Sequence, residues 1–318
     1  MTNLDREVNS RLSKLLSDLD KQSVKMISGY EREVVRQYKI ALKEIKSKIA
    51  LLFEKLGNDV TYPETLKFNR LVNLETAIKA EVMKLNRALN KNTKTAIIDI
   101  YSQNYYVAGF AQETSLGVAL GFGTLNPSVI ERAIYNPLDR IGWNTRQAKH
   151  SAEYVNAIRE EITQGLIQGK GYPDITRNIN KRTALTADKT QRIVQTEAHR
   201  VQNQGINDAY ERTRESADRL GIKVKKIWVA TLDNKTRDMH ADMDGRAADE
   251  EGVFELPDGS TGEAPGNIGL PEHDIECRCT AKTEIEGYGS QKRKDNESKK
   301  IIDYKTYHQW ADGKGIKY

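Results

Sequence analysis

The feature that most constrains this chain is a proline-free N-terminal stretch of 62 residues with only two glycines, Gly29 and Gly57. Its apolar side chains recur every three or four positions, which is the spacing of an amphipathic helix with one buried stripe. They are Val8, Leu12, Leu15, Leu19, Tyr30, Val34, Tyr38, Leu42, Ile45, Ile49, Leu52 and Leu56. A long helix ending at Gly57, Asn58 and Asp59 is therefore predicted. Such a stripe needs a partner, either another helix of this chain or another subunit.

A second helical run covers roughly Asn73 to Gln112, with a candidate break at residues 90–92. The three- and four-residue steps continue along it, and an aromatic cluster at its end is typical of core. Its apolar positions are Leu74, Ile78, Val82, Leu85, Leu89, Tyr101, Tyr105, Tyr106 and Phe110. Residues 113–127 are glycine-rich and predict a loop or hinge. Residues 1–115 are thus predicted to form a long-helix region suited to docking and assembly.

Residues 126–221 are predicted to form a central helical region built from shorter pieces. One helix covers Glu153 to Gln168, Pro173 opens another, and a stronger one covers Thr186 to Leu220. The last helix carries polar side chains at near four-residue steps, namely Arg192, Thr196, Arg200 and Asn203. A polar face is usually a solvated surface, but Thr and Asn are not preferred there, so a functional stripe is the second interpretation.

The pattern changes over residues 222–286. Val224–Thr231, Val253–Phe254 and Thr280–Ile285 predict short strands. Between them, Pro257 to Pro271 holds three of the seven prolines and four glycines, which predicts a long irregular loop. Residues 287–318 are predicted to be a polar C-terminal tail. The predicted fold class is α+β and predominantly α-helical, with a small C-terminal mixed domain at residues 222–286.

Composition excludes some classes of protein. No stretch approaches the roughly 20 apolar residues of a transmembrane helix, and the N-terminus lacks the layout of a secretory signal, so neither a membrane protein nor a classical secreted protein is expected. The net charge of +5 permits contact with nucleic acid without arguing for it. Cys277 and Cys279 are too close in sequence for a disulfide framework, so reduced thiols are expected.

The chemistry-bearing residues lie in two short segments, Asp233 to Asp244 and His273 to Cys279. Two thiols and two imidazoles suit a tetrahedral zinc ion, so His240, His273, Cys277 and Cys279 are candidate ligands. Alternate residues of an extended segment face the same side, which would bring the two sulfurs together. A metal would also explain how the glycine- and proline-rich loop is held.

The same residues admit an enzymatic interpretation. Arg237 and His240, with Asp233 or Glu197, could serve phosphodiester chemistry in a metal- or histidine-dependent nuclease. No phosphate-binding loop, nucleophile elbow or zinc-protease motif occurs. The favoured alternative is a buried hydrogen-bonded network in which Asp233 caps a short helix and the helix is fixed on the first strand.

The order of these motifs resembles a known family. A strand, D-x-x-T-R-x-x-H, D-G, a Gly/Pro loop, P-x-H, C-R-C and a further strand, preceded by the helix from Arg192 to Gly205, resemble the Mu-F-like phage head morphogenesis family over residues 145–286. The resemblance implies a minor capsid (minor head) protein of a tailed phage, without established catalytic activity. It assigns the motif side chains a structural network: Arg192, Glu197, Arg200, Asn203, Asp233, Thr236, Arg237 and Asp244.

The resemblance also implies partners and location. These are the portal protein, other capsid or scaffold components and non-specific phage DNA, in the virion head or procapsid and in the host cytoplasm during assembly. Weak DNA contacts are expected from the basic residues Lys292, Arg293, Lys294, Lys299 and Lys300. One departure from the family is that Asp274, not proline, follows His273.

Overall fold

The computed structural model describes residues 3–57, 60–135, 142–285 and 292–315, with side chains from Lys14 onward except that of Phe68. Asn58 and Asp59, predicted to end the first helix, and the predicted boundary at 286/287 lie outside these residues, as do the side chains of Val8 and Leu12. Within them, no helix is long and apolar enough to cross a membrane.

The fold is predominantly helical α+β, as predicted. The α-helices are α1 (Asn3–Leu56), α2 (Tyr62–Leu66), α3 (Arg70–Leu116), α4 (Pro127–Tyr135), α5 (Trp143–Ile167), α6 (Tyr172–Arg219), α7 (Asp238–Asp242), α8 (Pro271–Asp274) and α9 (Tyr307–Asp312), with a 3-10 turn at Lys67–Asn69. The strands are β1 (Val224–Val229), β2 (Phe254–Glu255), β3 (Thr261–Gly262), β4 (Thr280–Ile285), β5 (Lys292–Lys294) and β6 (Ile301–Asp303). They pair antiparallel as β1–β4, β2–β3 and β5–β6.

The chain divides into two compact units. We call residues 28–95 and 141–195 the helical unit, and residues 1–27, 96–140 and 196–318 the mixed unit. The long helices α1, α3 and α6 each contribute residues to both units. The units therefore differ from the sequence segments 1–115, 126–221 and 222–286, because a helix of about 50 residues is long enough to pack into two cores.

The core of the helical unit is one cluster drawn from α1, α3, α5 and α6. The stripe of α1 is buried there against other helices of the same chain, with Val34, Ile45 and Ile49 fully inaccessible. Glycine allows a close approach of α5 and α6, since a Cβ on Gly165 would lie 2.4 Å from Ile175. Intramolecular packing therefore buries this part of the stripe.

Two helices are more continuous than predicted. No break occurs in α3 at residues 90–92, because Asn92 donates from Nδ2 to the carbonyl of Tyr30 (3.2 Å) and Thr93 bonds back to Leu89 (3.0 Å). The pieces predicted at Pro173 and Thr186 are one helix, α6, with Pro173 in its first turn, where no intrahelical N–H is lost.

The core of the mixed unit lies beneath β1 and β4, with Trp228 fully buried. The predicted polar tail is wrong for residues 292–315. Helix α9, capped by Thr306 and Gln309, buries Tyr307, Trp310 and Ala311 in the same core. Sparse apolar residues made the segment look solvated, although its few aromatic side chains are the ones that pack.

Candidate metal centre

Three donor side chains meet where short elements leave the β1–β4 ladder. His240 lies on the one-turn helix α7, and Cys277 and Cys279 lie in the extended segment between α8 and β4. Nδ1 of His240 is 3.7 Å from Sγ of Cys277 and 3.8 Å from Sγ of Cys279. All three donor atoms lie within 4.8 Å of one another, and the three residues are at most 3% exposed. We call this set the thiol–imidazole cluster.

His273 lies beside the cluster but is not part of that close set. Its ring stacks on His240 with centroids 5.7 Å apart and planes inclined by 21°. Nε2 of His273 is 2.9 Å from a carboxylate oxygen of Asp258, while the buried Nδ1 has no hydrogen-bond partner among the described residues. The carboxylate thus favours the tautomer with the proton on Nε2, leaving a lone pair on Nδ1.

The two thiols perturb each other. Hydrogen bonding from the Cys277 thiol holds the pKa of Cys279 well below its ordinary value, and the His240 ring acts in the same direction. That hydrogen bond, together with burial, raises the pKa of Cys277. Within the pair, Cys279 is therefore the group that ionises first.

Two of the D-x-x-T-R-x-x-H side chains, Asp233 and Arg237, contact the cysteine segment. Asp233 accepts from Nη2 of Arg278 at 2.9 Å. Arg237 donates from Nη2 to the carbonyl of Ile275 at 2.5 Å. Asp233 does not cap a helix as predicted, because α7 begins at Asp238 and the Asp233 carboxylate instead accepts from the backbone of Lys235. Asp233 and Arg237 of the predicted network are therefore tied to residues 273–278.

Thr236 and Asp244 fix the end of β1. Thr236 donates to the carbonyl of Thr231 at 2.5 Å. The buried carboxylate of Asp244 accepts from the backbone N–H of Ala230 (2.8 Å) and from Nη1 of Arg293 (2.7 Å). It also accepts from the backbone N–H of Tyr307 at 2.5 Å, so one carboxylate joins three segments.

The polar face of α6 is buried where it meets β4. Asn203 donates from Nδ2 to the carbonyl of Cys279 (2.9 Å) and accepts from the N–H of Ala281 (3.1 Å), as a neighbouring strand would. Arg200 donates from Nε to Glu197 at 2.9 Å, with both side chains at most 2% exposed. Arg192 is exposed and belongs to the helical unit.

The basic residues predicted to contact DNA do not form one surface. Arg293 does not contribute to an exposed basic surface, because its side chain is 6% exposed and paired with Asp244. Lys292 pairs with Asp303, and Lys294 is 3.5 Å from Asp20. Lys299 and Lys300 remain exposed at the β5–β6 turn. The sequence predicted a solvated charge run, because the burial of Arg293 depends on Asp244, about 50 residues away.

Three contributors were not predicted from sequence: Asp258, Asp274 and Glu276. The Asp274 carboxylate accepts from the backbone of Ile268 (2.9 Å) and of Gly269 (2.7 Å), and burial raises its pKa. Glu276 has φ of 58°, a left-handed conformation uncommon outside glycine, just before Cys277. The sequence signal for these residues was that Asp274 stands where the family has proline. The two hydrogen bonds that the Asp274 carboxylate accepts from the loop explain this departure.

Two side chains of the nuclease interpretation are buried, and the other candidate acid, Asp233, is paired with Arg278. His240 and Glu197 are each 1% exposed, so neither reaches a phosphodiester in this conformation. The polar side chains hold a loop and a strand edge instead. Fold and site thus define a helix-rich protein with a small α+β module.

Comparison with known proteins shows which family the chain resembles. The profile described as Phage Mu protein F like protein matches residues 156–282. The minor head protein GP7 of Bacillus phage SPP1 is 29% identical over 302 residues, which cover 93% of this chain and 96% of that protein. Residues 156–282 thus match the Mu-F-like phage head morphogenesis family. The similarity to a minor head protein over most of the chain supports a role in phage head morphogenesis.

Two further relatives are not named as head proteins. A protein of Enterococcus faecalis named NAD(+)--arginine ADP-ribosyltransferase EFV is 28% identical over 95% of this chain, which spans 61% of that protein. An uncharacterized protein of Haemophilus influenzae is 27% identical over 40% of this chain and 24% of its own length. No solved structure matches the chain.

Proposed function

We propose that this protein is a non-enzymatic minor component of a tailed-phage head that binds the portal protein during procapsid assembly and contacts the packaged DNA. The observation that carries the proposal is the near full-length relation to a minor head protein, 93% of one chain against 96% of the other. The burial of His240 and Glu197 supports a structural rather than a catalytic use of the motif residues.

The helical unit offers a surface that suits a helix of the portal protein. An open groove of about 380 Å³ lies between α2, the start of α3 and α5. Leu66 and Val72 line it while 51% and 55% exposed. Large apolar side chains left this exposed at a groove are typical of a docking surface, and an amphipathic helix of the partner would cover them.

Co-expression with the portal protein tests this assignment. The wild-type chain is expected to co-purify with portal, and Leu66→Glu combined with Val72→Glu is expected to abolish the complex because it places charges in an apolar contact. Leu185→Glu is the matched control, since Leu185 is 66% exposed on α6 and does not line the groove. Loss of binding in the control as well, or no co-purification of the wild type, would reject portal docking at this groove.

DNA contact is proposed for the exposed pair Lys299 and Lys300. Each phosphate neutralised lowers the logarithm of affinity by about 0.9 per tenfold rise in salt. The double change to Gln is therefore expected to reduce the salt slope by about 1.8, with Lys292→Gln as the control because Lys292 is already paired with Asp303. The measurement is binding to linear duplex DNA across a salt series; an unchanged slope for the double variant would contradict the contact.

A further inference from the structure

We propose that the mixed unit holds one zinc ion, bound by Nδ1 of His240 and the thiolates of Cys277 and Cys279, with Nδ1 of His273 completing a tetrahedral set. This site is separate from the portal and DNA contacts proposed above and stands without them. Its role is structural, because every ligand is buried and the segment between the ligands is the Gly/Pro loop.

The donor spacing fits a shared ion. In a tetrahedral site with Zn–S of about 2.3 Å and Zn–N of about 2.0 Å, a sulfur and a nitrogen lie about 3.5 Å apart. The observed separations from Nδ1 of His240 are 3.7 Å to Cys277 and 3.8 Å to Cys279. For each of these two sulfur–nitrogen pairs, closing onto an ion therefore takes a shift of about 0.3 Å or less.

Hydrogen bonding alone leaves the cluster poorly satisfied. The described contacts of the His240 ring include two from Nδ1 to sulfur, at 3.7 Å and 3.8 Å, which are long for hydrogen bonds. Buried polar atoms are rarely left so. A cation accepting the Nδ1 lone pair and both sulfurs would explain why an imidazole and two thiols are brought together in an apolar core.

His273 has the environment of a metal-binding histidine. Such residues usually pass their second ring N–H to a carboxylate, and here Nε2 lies 2.9 Å from Asp258. The remaining Nδ1 is buried and unpartnered in the part of the chain that the structure describes. The ring stacks on His240 with centroids 5.7 Å apart, so His273 must move toward the cluster for this lone pair to reach the ion.

Ligand chemistry selects the metal. Two thiolates with two imidazoles favour zinc over calcium or magnesium, which take oxygen ligands. Binding to the reduced protein converts both thiols to thiolates and releases their two protons to solvent, with no change of oxidation state. The ion would tie α7 and α8 to the entry of β4, closing the loop of residues 245–270.

The first test uses the wild-type full chain. Purified under reducing conditions, it is expected to contain one equivalent of zinc by elemental analysis, and X-ray absorption at the zinc edge is expected to show two sulfur and two nitrogen neighbours. Titration of the chelated protein with Co²⁺ is expected to give the strong visible absorption of a tetrahedral thiolate site. Absence of metal together with absence of the Co²⁺ spectrum, or a Cys277–Cys279 disulfide in the protein as isolated, would overturn the site.

Variants then assign the ligands. Cys277→Ser with Cys279→Ser is expected to abolish the Co²⁺ spectrum, and Asp258→Asn is expected to weaken zinc about 10- to 100-fold in a chelator competition. Asp303→Asn is the matched control, since Asp303 also pairs with a side chain, that of Lys292, but lies outside the cluster.

The fourth ligand has its own readout. His273→Ala is expected to keep one bound zinc but to replace a nitrogen neighbour by oxygen in the absorption spectrum, because water takes the open position. An unchanged spectrum and affinity would refute His273 as a ligand. Since the readout is the coordination of an ion still bound, a variant of reduced stability does not obscure it.

Discussion

The buried pair between Asp244 and Arg293 gives a quantitative test of how the mixed unit is held together. Asp244→Ala removes the acceptor of two backbone N–H groups, those of Ala230 and Tyr307, and leaves a guanidinium 6% exposed without its counter-ion. Breaking a buried pair from one side costs about 3–5 kcal/mol. Arg293 still donates to the carbonyls of Lys305 and Ala230, both at 2.7 Å. With the two unpaired backbone N–H groups included, the free energy of unfolding is therefore expected to fall by about 4 kcal/mol.

Urea unfolding followed by tryptophan fluorescence measures this loss, because Trp228 and Trp310 are both in the core of the mixed unit. With a denaturant slope of about 2.5 kcal/mol/M, the midpoint is expected to fall by about 1.6 M. Asp303→Ala is the control; it opens the exposed ion pair with Lys292 and is expected to leave the midpoint unchanged.

The double variant decides whether the charge pair is the cause. Asp244→Ala with Arg293→Met removes the stranded charge, so its loss is expected to be smaller than the sum of the two single losses by at least about 1 kcal/mol. Strict additivity, or a loss below about 1 kcal/mol for Asp244→Ala alone, would refute the assignment of Asp244 as the joint between β1, β5 and α9.

Three further outcomes are expected, each measured by the same urea unfolding, with circular dichroism for the helical unit. Asn203→Leu should cost about 2 kcal/mol or more, because it strands two buried backbone groups of the segment that enters β4. Gly205→Ala should destabilise the protein by about 1–3 kcal/mol, since its Cβ would lie 2.6 Å from the carbonyl oxygen of Tyr101. Gly29→Ala should instead stabilise it by up to about 1 kcal/mol, because the added Cβ meets nothing nearer than 4.0 Å. Burial lowers the pKa of Lys226 to about 8 from its ordinary 10.5, so the unfolded chain binds more protons above pH 8 and stability should rise from pH 8 to 10; Lys226→Met should remove that rise. Equal signs for the two glycine variants, no loss for Asn203→Leu, or an unchanged pH slope would contradict the respective argument.

Local patterns account for what could be predicted. Apolar steps of three and four residues located the long helices, and β-branched runs located β1 and β4, because both signals are contained in neighbouring residues. The proximity of His240 to the two cysteines was predicted from motif order and the alternation of an extended segment. The extent of α6 was not, since nothing local distinguishes one helix of 48 residues from two in succession.

Partners distant in sequence account for what could not be predicted. Whether Arg293 is solvated depends on Asp244, and the tautomer of His273 depends on Asp258. Neither pairing has a periodic signature, because each joins a loop to an element that folds elsewhere in the unit. Charged runs are therefore the least informative part of such a sequence: the same Lys-Arg-Lys string contains one buried and two accessible side chains.

The C-terminal segment, residues 292–315, belongs to the site rather than to its periphery. Asp244 accepts from Arg293 of β5 and from the backbone of Tyr307 at the start of α9, and the Tyr307 hydroxyl donates to the carbonyl of Asp233 at 3.0 Å. These bonds fix both ends of the turn that runs from β1 into α7, the helix that carries His240. Because a one-turn helix has little stability of its own, the position of the imidazole depends on the segment that looked most like a tail.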